Sequence, residues 1–143
     1  MDNQTLILEY KKKIITLKEK NKRAKEMIKK SESACVQISK KIQRTESIYN
    51  DRLSKIRYIG SKIPTGSNFN DIYYNKMKSI LFGNKTDQAL GSLKSLKSKI
   101  LKKIDEYEEE IRINTMKINQ YNQKIIELNR KIMDMEKAGE NNV

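Results

Sequence analysis

The sequence has no His, no Trp, one Cys, one Pro, two Phe and five Gly in 143 residues. Each shortage closes a class of function. Without His there is no imidazole base for a nucleophilic triad. With Cys35 alone, neither a disulfide framework nor a Cys- or His-rich zinc site can be built. With so few breakers, little of the chain is committed to turns. Long apolar runs are missing too, and none reaches the roughly 18 residues of a membrane span. The first residues, MDNQTLILEYKKK, place the apolar stretch before the basic one. A cleavable secretory signal has the opposite order, so none is expected. Acidic residues are the scarcer charge: 18 Asp and Glu stand against 31 Lys and Arg, a formal net charge of +13. A chain that is 36% hydrophobic and 34% charged suits long, exposed helices better than a compact globule.

What is present is periodic. Steps of three and four from Ile7 run through Tyr10, Ile14, Leu17, Asn21, Ala24 and Ile28. They continue by Ser31, Cys35, Ile38, Ile42, Thr45, Tyr49, Arg52 and Ile56 to Ile59. Twelve of these sixteen positions are apolar or Tyr. A second series begins at Thr86 and Leu90 and passes Leu93, Lys97, Ile100, Ile104, Tyr107 and Ile111. It goes on through Asn114, Ile118, Tyr121, Ile125, Leu128 and Ile132 to Met135. Twelve of its fifteen positions are apolar or Tyr. Spacing of this kind keeps one stripe of a slightly underwound helix against a partner, which is a coiled-coil seam.

The breakers Gly60, Pro64 and Gly66 separate the two seams. The expectation is an all-α fold, a long antiparallel two-helix hairpin with a short extra helix at its tip. It forms one domain, 1–143, with helix one over about 3–59, a tip over 60–84 and helix two over about 85–138. Each long helix would span roughly 75–80 Å at 1.5 Å per residue. Asn70 or Asp71 is the expected cap of the tip helix, about 71–82, which carries Tyr73, Met77, Ile80 and Leu81. A parallel dimer with separate zippers is the rival arrangement, and the long breaker region favours the hairpin.

Polar seam residues carry two readings. Asn21 and Asn114 could specify register by pairing, as Asn does on coiled-coil seams, or sit at a wet gap. Aligning the hairpin ends puts Ile7 near Met135 and leaves the two Asn one heptad apart. Cys35 on the seam is expected to act as a small buried apolar residue.

Some apolar residues fall beside the seams. Leu6, Leu8 and Ile15 widen the stripe near the start of helix one, and Ile126 and Met133 near the end of helix two. In an antiparallel hairpin both places lie at the open end. Leu96, Leu101, Ile113 and Met116 are further off-seam residues. A wider stripe than a coiled coil covers calls for another helix. That helix belongs either to a second copy or to a different protein.

Charge is uneven. Residues 1–62 hold 17 basic and 7 acidic side chains, whereas residues 85–143 hold 12 and 10. The densest basic stretch is 11–30, and an acidic run lies at Asp105, Glu106, Glu108, Glu109 and Glu110. Lysines around a helix can grip phosphates. Base or single-strand recognition normally adds aromatic platforms, and two of the three tyrosines of helix one lie on the seam. Nucleic-acid binding is therefore an alternative and not the leading reading. The acidic run can meet a basic region of a partner or of helix one, and its spacing is not that of a metal site. Nothing assembles an active site, and the expectation is a non-enzyme without cofactor or metal.

The segment Ile80-Leu81-Phe82-Gly83-Asn84-Lys85-Thr86, followed by Leu93, Ile100, Ile104, Ile111 and Ile118, resembles the LXG-associated α-helical (Lap) accessory proteins of bacterial type VII secretion. These are helical-hairpin proteins in which an aromatic-x-Gly turn, typically Trp-x-Gly, feeds the second helix. Here Phe82 stands for the Trp and Gly83 for the Gly, with the spacer missing. The Tyr-x-x-x-acid export signal has no match, since Ile111 follows Tyr107 and Ile125 follows Tyr121 at that distance. The resemblance implies a non-catalytic targeting chaperone that binds the helical N-terminal domain of an LXG toxin. A second small helical protein is a further implied partner. It implies a cytoplasmic protein, with secretion alongside the client left open and the export signal supplied by the client or a partner. Leu6, Leu8, Ile15, Ile126 and Met133 are the expected contact, and Phe82 and Gly83 at the tip a second. The competing readings are a structural homo-oligomeric coiled coil and a basic coiled coil that binds nucleic acid.

Overall fold

A computed structural model describes residues 2–62, 67–83 and 85–141. The described residues form an all-α fold of three helices, α1 (Asn3–Ser61), α2 (Ser67–Phe82) and α3 (Lys85–Asn141). The long helices α1 and α3 pack against each other as a helical hairpin. The chain divides into two compact units, Met1–Lys30 with Lys103–Val143, and Ser31–Lys102. Pro64, Gly66 and Asn84, assigned to the connections, lie outside the described residues.

In the first unit α1 starts on a built cap. The Asp2 carboxylate accepts a hydrogen bond from the Thr5 backbone N–H at 2.7 Å, and the Asp2 carbonyl accepts from Leu6 N–H. The first bond satisfies a donor that a helix start leaves orphaned, and the second is the first backbone bond of the helix itself. Ile7, Ile14, Asn21 and Ala24 of α1 are buried, as are Ile104, Asn114 and Ile118 of α3. All seven are seam positions. The tyrosines Tyr10 and Tyr121 stack across the seam with ring centroids 5.4 Å apart.

These contacts correct the expected register. Asn21 donates to Thr115 Oγ1 at 3.4 Å, which puts Asn21 and Asn114 in one layer, and the Tyr10 and Tyr121 rings stack between neighbouring layers. Met135 does not face Ile7; it is 68% exposed. The physical reason is visible in the alternative. Aligned ends would bring Asn21 against Tyr121 and Asn114 against Ile28, two separate polar-on-apolar layers. The observed register confines the polar groups to a single layer.

In the second unit the core is Cys35, Ile38, Ile42 and Ile56. Glu46 of α1 and Lys94 of α3 form an ion pair at 2.9 Å across the two helices. The seam changes phase before the tip. Arg52 and Ile59 were expected on it, yet both are exposed, while Leu53 is half-buried and Gly60 buried. Two four-residue steps, Thr45 to Tyr49 to Leu53, rotate the buried stripe locally. The rotation turns Gly60 toward α2. A Cβ at Gly60 would lie 3.0 Å from Cδ1 of Tyr73, so the missing side chain is what permits this close approach. Helix α1 therefore runs through Gly60 to Ser61 and does not break there.

Helix α2 begins at Ser67, earlier than the expected Asn70 or Asp71 cap. It half-buries Tyr73, Tyr74 and Met77, while Ile80 and Leu81 are exposed. Arg57 sits over the Tyr74 ring at 4.8 Å and donates to its hydroxyl at 3.2 Å. The helix stops at Gly83, whose φ is +52° and whose N–H donates to Ser79 O at 3.0 Å. This is the left-handed C-terminal cap that glycine supplies at least cost.

Candidate docking surface

Heptad position decides which side of the first unit each exposed residue occupies. With Ile7, Ile14 and Asn21 as a positions and Tyr10, Leu17 and Ala24 as d, the residues Lys13, Lys20 and Met27 are g. On α3, Ile111, Ile118 and Ile125 are a, and Glu110, Lys117 and Lys124 are g. In an antiparallel pair, g meets g along one edge and e meets e along the other. The contacts agree. Lys13 and Lys124 both lie 5.5–5.8 Å from the Tyr10 and Tyr121 ring centroids. Lys20, Arg23 and Met27 share a shallow groove with Tyr107 and Glu110. Asn21, by contrast, reaches Thr115, an e residue, on the opposite edge.

Leu8 and Ile15 are b positions on α1, and Ile126 and Met133 are b positions on α3. The b positions border the e edge, so all four lie on the same side of the unit. They are 59%, 59%, 44% and 56% exposed. Leu6, the fifth expected contact, is a g residue and half-buried. It belongs to the other edge and is not brought together with the four. An open groove of about 510 Å³ lies at the N-terminal end of α1, between Asn3 and Gln4 on one helix and Ile132 and Met135 on the other.

The electrostatics of the two edges differ. The Lys13 ammonium donates to the Glu9 carboxylate at 3.1 Å, and that hydrogen bond first, then the carboxylate's negative charge, raises the Lys13 pKa. Arg112 donates to Glu109 at 2.9 Å, which holds the Glu109 carboxyl below its ordinary value. Lys103 is bound to Glu106 at 3.1 Å and its pKa is raised in the same way. All these groups are exposed, so each pair contributes little to stability.

At the tip, Gly83 is exposed in the second unit, and the Phe82 side chain lies outside the described residues. Sequence reasoning did not single out Ile72 and Tyr58 of this unit, which are 62% and 64% exposed, and Ile80, grouped with Tyr73 and Met77, is 69% exposed. Ile72 precedes Tyr73 and so points about 100° away from the face that packs on Gly60, which is legible in the sequence; Ile80, seven residues after Tyr73, lies near that face and is exposed all the same.

Cys35 is buried, in keeping with a packing role. Among the described residues no group of His, Cys, Asp and Glu could hold a metal ion. No described helix is long and apolar enough to cross a membrane. Searches against family models, curated proteins and solved structures found nothing that matches this chain.

Proposed function

We propose that this chain is a non-catalytic adaptor that holds a helical client on the open-end face of its first unit. The observation that supports this reading is the grouping of Leu8, Ile15, Ile126 and Met133, each 44–59% exposed, on one side of the helix pair. Covering four half-exposed aliphatic side chains would contribute about 4 kcal/mol before the cost of association. That is enough to guide docking and too little to hold a complex without further contacts. The resemblance to Lap accessory proteins supplies the client class, the helical N-terminal domain of an LXG toxin, and the task of presenting it for type VII secretion. The Phe82-Gly83 tip is the second contact.

The test is co-expression with an LXG-type N-terminal domain and recovery of the complex through a tag on the client. The Ile15→Glu/Ile126→Glu variant is expected to lose co-purification while its far-ultraviolet circular dichroism stays native. Retention of the client by that variant would remove this face from the interface. A tight homo-oligomer that ignores the client would replace the adaptor reading with a structural coiled coil.

A further inference from the structure

The side of the first unit that carries the four aliphatic residues is also free of acids over most of its length. From Leu8 to Lys25 on α1, the e and b positions are Leu8, Lys11, Ile15, Lys18, Lys22 and Lys25. From Arg112 to Met133 on α3, they hold Arg112, Ile126 and Met133 together with the uncharged Thr115, Asn119, Asn122 and Asn129. No Asp or Glu stands at any of these positions. The first acids at e or b positions of α3 beyond this stretch are Glu108 at one end and Glu136 at the other. The four lysines are exposed, and none makes an ion pair with a described residue. Arg112 is already paired with Glu109. The g and c positions of the other side hold Glu9, Glu106, Glu110, Glu127 and Asp134. The two sides thus differ in kind: the g and c positions mix charges, whereas the e and b positions hold lysines, one arginine, uncharged polar side chains and aliphatic carbon, with Glu19, Glu26 and Glu109 only at the bordering f positions.

We propose that this face receives an acidic amphipathic helix whose contacting stripe is apolar at one end and rich in Asp or Glu at the other. The apolar end lies over Leu8, Ile15, Ile126 and Met133, and the acidic end over Lys18, Lys22 and Lys25. The inference rests on the helical-client reading and adds the chemistry of the client. Charge complementarity decides the occupant. A second copy, itself at net +13, would meet like charge. A nucleic-acid duplex would find phosphate partners but would strand four aliphatic side chains on a face without an aromatic ring. A membrane surface needs a continuous apolar face, and here the aliphatic residues are confined to one end. Asn119 and Asn122, on the lysine side of Ile126, can donate to and accept from polar groups of a helix lying along the edge. The α1 side of the face, from Leu8 to Lys25, is roughly 27 Å long at 1.5 Å per residue.

Two designed helical peptides of about 20 residues, with the same apolar end and either Glu or Gln at the other, distinguish the outcomes. Binding of each labelled peptide to the full chain is followed by fluorescence anisotropy at low and high salt. The Glu peptide is expected to bind about tenfold more tightly than the Gln peptide at low salt, with the advantage shrinking as salt rises. The Lys18→Glu/Lys22→Glu/Lys25→Glu variant is expected to erase that advantage. The Lys30→Glu/Lys117→Glu/Lys131→Glu variant, equal in net charge but altered away from this face, is expected to keep most of it. Equal binding of the two peptides would overturn the acidic partner and leave the helical client standing. Binding of neither peptide would overturn both. Displacement of the Glu peptide by a short DNA duplex or by phosphatidylserine vesicles, with affinity indifferent to Leu8→Ser and Ile15→Ser, would show a general polyanion site in its place.

Discussion

Replacing both seam asparagines by leucine should stabilise the first unit. Asn21 and Asn114 are only 8% and 7% exposed. Asn21 Oδ1 and Asn114 Nδ2 are buried without a hydrogen-bond partner. The one bond in the layer, Asn21 Nδ2 to Thr115 Oγ1 at 3.4 Å, is long, and Thr115 Oγ1 also donates to Ile111 O at 2.7 Å. A buried polar atom left unpaired costs about 1–3 kcal/mol. Removing two of them and filling the layer with hydrocarbon should gain about 2–5 kcal/mol. For a chain of this size that is a rise in Tm on the order of 10 °C, read by circular dichroism at neutral pH. The single Asn114→Leu change should give about half of it. The double variant should also lose register definition, because the end-aligned pairing no longer sets Asn against Tyr121 and Ile28. Spin labels at Lys12 and Gln123 would then report a second distance population absent from the native chain. A double variant less stable than the parent by more than about 1 kcal/mol would refute the reasoning. It would mean that the two amides, whose unpaired atoms are a complementary donor and acceptor, bond to each other in solution.

Three further outcomes are expected. Gly91 is exposed inside α3 with nothing within 4 Å of an added Cβ, so Gly91→Ala should raise the urea midpoint by a stability gain of up to about 1 kcal/mol; a lower midpoint would contradict its place in a regular helix. Gly60→Val should push α2 off α1 by its contact with Tyr73, costing about 1–3 kcal/mol and accelerating amide exchange in α2 with little change in the first unit. The Asp2 carboxyl, held below its ordinary pKa first by the Thr5 backbone hydrogen bond, should titrate with a depressed midpoint by NMR. Its contribution to the start of α1 is present above the ordinary carboxylate value and is lost as pH falls through the depressed one. An undepressed midpoint would show that the cap does not form.

The architecture was legible because a seam needs only spacing. Every α3 seam position from Thr86 to Ile132 is at least half-buried, and α1 keeps its expected seam from Ile7 to Tyr49. What the periodicity could not carry was set by contacts between segments. Register depended on whether polar residues share a layer, and end alignment ignores that cost. The close packing at Gly60 involves Tyr73, a residue of another helix. Propensity alone treats such a glycine as a breaker. At the candidate face, four of the five apolar residues singled out beside the seams do share a side, because b positions of antiparallel helices border a common edge. Leu6 does not, being a g residue. The absence of acids from that same side was readable in principle. It depends on the antiparallel sense of the two helices, which brings e positions of one beside e positions of the other.

The adaptor reading is tested most directly by the mass of the chain in solution, measured by light scattering alone and with an LXG-type N-terminal domain at low and high salt. One defined complex with the client is expected, formed through the Leu8, Ile15, Ile126 and Met133 face and lost in the Ile15→Glu/Ile126→Glu variant. A tight homodimer or tetramer, unchanged by salt and indifferent to the client, would contradict it.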